Sequence, residues 1–367
     1  MTLLKPDAHS PSLLPRRLLM RPGAFGELTD LIPADVRGIA LVADRRVMDL
    51  YGKTVLDHMG DGFGPVIPLS FEPGEASKTL NTMQDICSAM LRAGLDRRSM
   101  LLALGGGVAT DLGAFAAHCY MRGIGCINLP TTIVGAVDAA MGGKCGVNLP
   151  EAKNTIGGWL QPHAVIIDTS TFATLPPREI RNGMGEILKA AVVGDAELFA
   201  LIDKNAVGLR DGELPSGDML QRAVAVKTAI VTADPYEQGI RAGLNFGHSI
   251  GHALELCSDF ALAHGEAVAC GMVLESRIAV ALGHLSAHDA DRIAALVAAL
   301  GFDTRARCPV EEALVVLRRD KKNQGQTIRM ALPQAIGRMY GTDEHPTVGT
   351  VPTVAVEESL IREVWDG

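Results

Sequence analysis

Three of the ten histidines in the chain, His248, His252 and His264, fall within 17 positions. His248 and His252 are four apart in the run Asn245-Phe246-Gly247-His248-Ser249-Ile250-Gly251-His252, and residues at i and i+4 share one face of a helix. Imidazoles together with one carboxylate suit a divalent cation such as Zn²⁺ and leave a coordination position open for substrate oxygens. Glu186, in Gly183-Met184-Gly185-Glu186-Ile187-Leu188-Lys189, is the candidate carboxylate, although spacing alone does not select it from the other acids. A lone histidine is ordinarily a hydrogen-bonded structural residue, but three so close together favour a site. The pattern lacks the glutamate of H-E-x-x-H, so metalloprotease chemistry is not indicated.

A second chemical signal is Gly105-Gly106-Gly107. It follows a strand-like run and leads into Val108-Ala109-Thr110-Asp111, where a helix is expected to start. Glycines at such a turn let backbone approach a pyrophosphate, and the helix N-terminus supplies N–H donors. It is not the G-x-G-x-x-G fingerprint, and a tight turn that binds nothing is an equal reading. In Pro73-Gly74-Glu75-Ala76-Ser77-Lys78-Thr79, an exposed turn with a capping hydroxyl is the better local reading. Thr131-Thr132 is uninformative by itself. Positive side chains also recur inside apolar or glycine-rich segments: Arg122, Lys144, Lys153, Lys189, Lys227 and Arg241. A lysine beside two glycines, as in Gly142-Gly143-Lys144, invites an anion to approach. The set points to a pocket for a multiply charged ligand such as one with phosphate and carboxylate. Lys321 and Lys322 sit in a charged run and read more simply as solvated surface.

These groups need a scaffold to position them. Gly38–Asp44, Val66–Leu69, Met100–Leu104, Cys126–Leu129 and Ala164–Asp168 read as strands, and Pro68 places the second at an edge or a strand end. Continuous apolar runs separated by helical patterns predict a parallel sheet covered on both faces. After Leu175-Pro176-Pro177 strand-like runs nearly vanish. Helical spacing takes over in Glu179–Val193, Asp218–Val231, Asn245–Leu256 and Glu266–Leu282. The expected organisation is a Rossmann-like α/β domain over 1–176 and a mostly helical metal- and substrate-binding domain over 177–367, with the active site in the cleft between them.

Whole-chain properties narrow the class. The chain has 367 residues, 47% hydrophobic and 21% charged, with a net charge of −8. That charge and the lack of a long basic run argue against a nucleic-acid partner. No stretch reaches the roughly 20 apolar residues needed to span a bilayer. Arg16-Arg17 beside Leu18, Leu19 and Met20 has neither a long apolar region nor a small-residue cleavage site, so no signal peptide is expected and the cytosol is the expected compartment. Seven cysteines without C-x-x-C spacing argue against a disulfide framework and a cysteine-based zinc site, and free thiols are the expectation.

From about Gly38 to Gly337 the chain resembles the 3-dehydroquinate synthase family of sugar phosphate cyclases. The carriers are GGGVATD, YMRG, LPTT, VDAAMGGKCGVN, KNTIG, LPPREIRNGMGEILK, RAGLNFGHSIGHALE, HGEAVACGM and DKKNQG, in that order. The resemblance implies one NAD and one divalent metal, usually Zn²⁺ with Co²⁺ as an alternative. It implies metal ligation by Glu186, His248 and His264. NAD contacts carry over to Asp44, Glu75, Lys78, Gly106, Gly107, Val108, Asp111, Thr131, Thr132, Lys144, Lys153, Thr171 and Thr174. The catalytic and substrate pocket carries over to Arg122, Asp138, Lys144, Asn154, Lys189, Lys227, Arg241, Asn245, His252 and Lys322.

The implied reaction turns 3-deoxy-D-arabino-heptulosonate 7-phosphate into 3-dehydroquinate by transient oxidation, phosphate elimination and aldol closure, and a homodimer is the expected assembly. Thr110 replaces the family's usual glycine before Asp111, and Cys145 its usual threonine after Lys144. Three rival readings remain: a cyclase acting on another sugar phosphate or an amino analogue, a metal-dependent polyol dehydrogenase with net redox, and an inactive binding module.

Overall fold

The computed structural model describes residues 15–60, 62–150, 152–259, 261–319, 327–342 and 352–365. Lys321 and Lys322 lie outside these residues. The chain forms two compact units, Met1–Leu175 and Pro176–Gly367.

The first unit is built on β1 (Arg17–Arg21), β2 (Gly38–Asp44), β3 (Val66–Phe71), β4 (Ser99–Gly105), β5 (Gly125–Pro130) and β8 (Ala164–Asp168). They form one six-stranded sheet in the order β1-β8-β5-β4-β2-β3, parallel throughout. Helices α1 (Leu28–Leu31), α2 (Arg45–Val47), α3 (Lys53–Met59), α4 (Leu80–Arg92) and α5 (Gly107–Cys119) connect them. The continuous apolar runs are explained by what covers the sheet. Ala40, Val42, Leu101 and Ala103 pack in one cluster with α4 and α5, while Ile39, Leu41, Leu102 and Leu104 pack in another with α1 and α3. Successive residues of a strand point to opposite faces, so burying both faces demands apolar side chains at every position. Pro68 lies in β3, an edge strand, where a missing N–H costs no ladder bond on the open side.

Three features were not legible as strands. β1 is half-exposed and edges the sheet beside β8, with Arg17 opposite Ala164. The segments β6 (Lys144–Leu149) and β7 (Ala152–Trp159) form an antiparallel hairpin in register Lys144 with Trp159. Glycine, lysine and asparagine hide it, because β propensity reflects packing more than backbone preference.

The second unit contains α6 (Pro177–Gly194), α7 (Ala196–Arg210), α8 (Gly217–Ala233), α9 (His248–Cys257), α10 (His264–Ala281), α11 (Ala287–Ala299), α12 (Val310–Leu317) and α13 (Glu358–Trp365). Two short antiparallel pairs join β9 (Ile328–Met330) to β12 (Val354–Val356) and β10 (Pro333–Ala335) to β11 (Arg338–Met339). The expected helix over Asn245–Leu256 requires correction. Ile240–Asn245 is a 3₁₀ segment, and α9 begins only at His248, because Gly247 breaks the path with φ +76°.

Asp168 anchors the end of β8. Its carboxylate accepts from the amides of Gly23 at 2.9 Å, Phe25 at 3.2 Å and Ser170 at 3.1 Å, and from the Ser170 hydroxyl at 2.6 Å. Asp168→Ala leaves these donors without their acceptor, the buried Phe25 amide among them, and is expected to cost about 2 kcal/mol. Amide hydrogen exchange in β1 and β8 should then accelerate about 30-fold; unchanged protection there would show that the carboxylate does not hold the strand pair.

Candidate active site

In the first unit, β4 ends on Gly105, whose φ is +144°. A Cβ there would lie 2.7 Å from the Ala109 Cβ, so the chain can turn into α5 only without one. Gly106 is the N-cap of α5 and supplies no side-chain cap. The first amides of the helix and the positive end of its dipole are therefore suited to an anion. Gly107 and Val108 open that first turn, and Thr132 adjoins it, since a Cβ on Gly106 would meet the Thr132 methyl at 3.1 Å. Thr131 is buried beside the same turn and donates its amide to the Gly105 carbonyl at 2.9 Å.

A polar chain continues from α5. The Lys78 ammonium lies 2.5 Å from Asp111 and 2.6 Å from the Asn154 side-chain oxygen, and Lys78 is buried. Burial pushes the Asp111 carboxyl above the ordinary carboxylate range, although the Lys78 charge pulls it down; Glu75 and Asp138 add repulsion. Asn148 donates to Glu75 at 2.7 Å, and Lys153 lies 3.9 Å from the same carboxylate. The exposed turn expected around Lys78 is thus half correct. Thr79 does cap α4, accepting from the Thr82 amide at 3.2 Å, but Lys78 points inward.

Asp44 caps α2 through the Val47 amide at 2.9 Å. Thr171 and Thr174 both meet the Tyr51 hydroxyl, the first through its carbonyl at 3.0 Å and the second through its own hydroxyl at 2.5 Å. Thr174 also lines a cavity of about 450 Å³ with Arg45, Arg46, Asp49, Glu72 and Pro73. Lys144 starts β6, and Asp138 lies in the short helical segment Gly135–Ala139. Arg122 is exposed with φ +70°. Thr110 turns its hydroxyl back to the Gly107 carbonyl at 3.1 Å, and burial pushes the Cys145 thiol up to about 12. Both replacements are therefore accommodated as buried, uncharged groups.

In the second unit, α6, α9 and α10 bring Glu186, His248 and His264 together, with one donor atom from each within 4.8 Å of the others. Glu186 Oε1 lies 3.0 Å from His264 Nε2 and 3.5 Å from His248 Nε2. Tetrahedral ligands about 2.05 Å from a cation stand about 3.3 Å apart, so these separations fit a shared ion. The donor chemistry fits as well. His248 Nδ1 faces the Phe246 carbonyl at 3.1 Å; a carbonyl only accepts, so the proton is on Nδ1 and the Nε2 lone pair faces a carboxylate oxygen. His264 lies between two carboxylates, with Nδ1 3.4 Å from Glu255. Two acceptors facing each other need positive charge between them, a proton or a metal ion. A proton on His264 is one such charge. Burial disfavours the imidazolium of His264, yet the hydrogen bonds and charges of Glu186 and Glu255 outweigh it and hold its pKa at about 10.

The surrounding cations are close. Lys189 lies one helical turn from Glu186, with Nζ 2.5 Å from Oε2, and both are buried. Lys227 and Arg241 are buried too. The Arg241 guanidinium donates to the Pro235 carbonyl, and its amide donates to Asp234 at 3.0 Å. Asn245 donates to Glu237 at 2.6 Å. The His252 ring centroid is 5.3 Å from that of His248 and 6.1 Å from that of His264.

Sequence reasoning missed three acids here: Glu237, Glu255 and Glu275. Glu255 had a legible signal, since His248, His252 and Glu255 stand at i, i+4 and i+7 on one helix face. Glu275, fully buried in α10, accepts from the amides of Gly247 at 2.6 Å and Ile250 at 3.0 Å. It satisfies the otherwise unpaired N-terminus of α9 and so fixes where His248 begins. A lone acid inside an apolar run was its only signal. Glu237, held at φ +59°, had none.

Two family models match successive parts of the chain. Residues 68–182 match the family model for the 3-dehydroquinate synthase N-terminal region, and residues 183–323 match that for its C-terminal region. The 3-dehydroquinate synthase of Thermosynechococcus vestitus is 41% identical over 345 residues, 92% of this chain and 91% of that protein. That of Citrifermentans bemidjiense is 41% identical over 302 residues, 81% and 83% respectively. A crystal structure of 2-deoxy-scyllo-inosose synthase with carbaglucose-6-phosphate, NAD⁺ and Co²⁺ superposes with TM-score 0.85 at 25% identity, covering 96% of each chain. A 2-epi-5-epi-valiolone synthase from Streptomyces hygroscopicus, with NAD⁺ and Zn²⁺ bound, gives 0.82 at 28% identity, covering 99% of this chain and 97% of that one. Among the described residues no helix is long and apolar enough to cross a membrane.

The Glu186–His264 separation depends on the close approach of α6 and α10. A Cβ on Gly185 would lie 2.5 Å from the Gly265 carbonyl oxygen, and one on Gly265 would collide with the Asn182 carbonyl. Gly185→Ala is expected to spread the two helices and weaken Zn²⁺ binding about 100-fold or more in a chelator competition, with helical circular dichroism retained. Wild-type affinity in this variant would detach the cluster from metal binding.

Proposed function

The chain belongs to the 3-dehydroquinate synthase family, and from that premise we propose that it converts 3-deoxy-D-arabino-heptulosonate 7-phosphate into 3-dehydroquinate and phosphate, using NAD and a divalent metal ion. The observation that carries the reading is the group of buried Glu186 and His248 with half-buried His264, and Lys189 against it. A bound NAD⁺ would supply a reversible hydride acceptor, and a bound cation would supply Lewis acidity toward substrate oxygens.

The chain's own residues provide the rest. Glu186, His248 and His264 would hold the cation, with Glu255 and the Phe246 carbonyl orienting the two imidazoles. Lys189, Lys227 and Arg241 are buried, so their charges are weakly screened and act strongly on a carboxylate or phosphate. Asn245, oriented by Glu237, supplies a directed polar contact. His252 beside the two ligand imidazoles can pass a proton between its ring nitrogens. In the first unit, the α5 N-terminus would receive the pyrophosphate, and Lys78, Asp111 and the Glu75–Lys153 pair would set the edge of the dinucleotide site. The presence of Lys227, Arg241 and Asn245 supports a substrate bearing a carboxylate, which such cationic and amide groups pair with, over sedoheptulose 7-phosphate or glucose 6-phosphate.

Incubation with the heptulosonate phosphate, NAD⁺ and Zn²⁺ is expected to release one phosphate per 3-dehydroquinate with no net NADH. Stoichiometric NADH would instead make the protein a dehydrogenase, and turnover of sedoheptulose 7-phosphate in its place would move it to another cyclase. Lys189→Met should lower kcat at least about 100-fold, since a buried cation acting on developing negative charge is lost. Near-normal kcat would remove Lys189 from the mechanism. Chelation should abolish turnover, and added Zn²⁺ or Co²⁺ should restore it.

A further inference from the structure

A second set of metal-ligand side chains lies outside the site described above. The thiols of Cys257 and Cys308 and the carboxylate of Glu312 each offer one donor atom, and the three atoms lie within 4.8 Å of one another. Cys257 is the last residue of α9, Cys308 stands just before α12, and Glu312 is in the first turn of α12. The two helices pack together. Both thiols are half-buried and Glu312 is exposed, so an ion can enter from solvent. The Cys308 thiol is 3.2 Å from the Pro309 carbonyl oxygen. The cysteines are far apart in sequence and lack any familiar spacing, so only the fold reveals the pair.

We propose that Cys257, Cys308 and Glu312 form a second cation site, which takes a soft, thiophilic divalent ion such as Zn²⁺ or Cd²⁺ with water completing the coordination. Two sulfurs select such an ion over Mg²⁺ or Ca²⁺, and one carboxylate fits the mixed ligand sets that Zn²⁺ accepts. A disulfide is the competing use of two adjacent thiols, and the mass of the purified protein separates the two. The Glu312 carboxylate adds negative charge that stabilises a dication held by two thiolates. Binding forms two metal–sulfur bonds and one metal–oxygen bond and releases two protons to solvent, with no oxidant or reductant involved. The bound ion would tie the end of the helix that carries His248, His252 and Glu255 to the start of α12.

The test is an anaerobic Cd²⁺ titration of the reduced, metal-stripped full-length protein, following ion stoichiometry, proton release and thiolate-to-cadmium ultraviolet absorption. Two ions per chain are expected, with the thiolate absorption belonging to one of them and more than two protons released in all, since His264 also gives up a proton on ligation. Cys308→Ser should lose the absorption and one equivalent. Glu312→Gln, at an exposed position that the fold does not require, should keep the absorption and weaken that ion about tenfold or more. His264→Ala should lose the other ion and keep the absorption, so the two sites are read independently. The proposal is overturned by a wild-type protein without thiolate absorption, by absorption unchanged in Cys308→Ser, or by a mass two hydrogens light in protein purified without oxidant, which would mark a disulfide.

Discussion

A buried carboxylate facing two imidazole nitrogens is the constraint on which the second unit turns. Glu186 has its Oε1 3.0 Å and 3.5 Å from His264 and His248, in surroundings where unshared negative charge and opposed lone pairs are costly. Positive charge must sit among them. A proton on His264 and the Lys189 ammonium can supply it. A divalent ion answers the same demand with more charge at one point. The tension that makes the cluster expensive to fold is therefore what makes it suited to hold a metal.

The helices carry that cost through backbone proximity and buried capping. Gly185 and Gly265 let α6 and α10 approach until Asn182 can accept from the Gly265 amide at 2.6 Å. Glu275 reaches from α10 to the first amides of α9. Neither device touches the candidate ion, yet each fixes where a ligand side chain begins. Rigid elements rather than loops thus set the donor separations.

The first unit uses comparable means for a different task. A parallel sheet buried on both faces ends at a glycine turn, and α5 begins with an uncapped, positively polarised terminus. Beside it, Lys78 is held by Asp111 and Asn154. This joins a residue expected at the dinucleotide to one expected at the substrate. That link was invisible in the sequence, where Lys78 sat in an ordinary polar turn.

Sequence by itself determined the periodicities and the local chemistry: strands read from unbroken apolar runs, helices from their spacing, the His248–His252 face and the glycine turn. Together with the motif order these were enough to place the family. Tertiary structure decided what depends on contacts between distant segments. It set Glu186 against His248 and His264, gave Glu255 and Glu275 their partners, split the expected helix at Gly247, paired β1 with β8 and brought Cys257 to Cys308. The physical reason is that side-chain period and turn chemistry act over a few residues and are written locally. Coordination, ion pairing and capping act through space, between residues whose separation along the chain carries no trace of it.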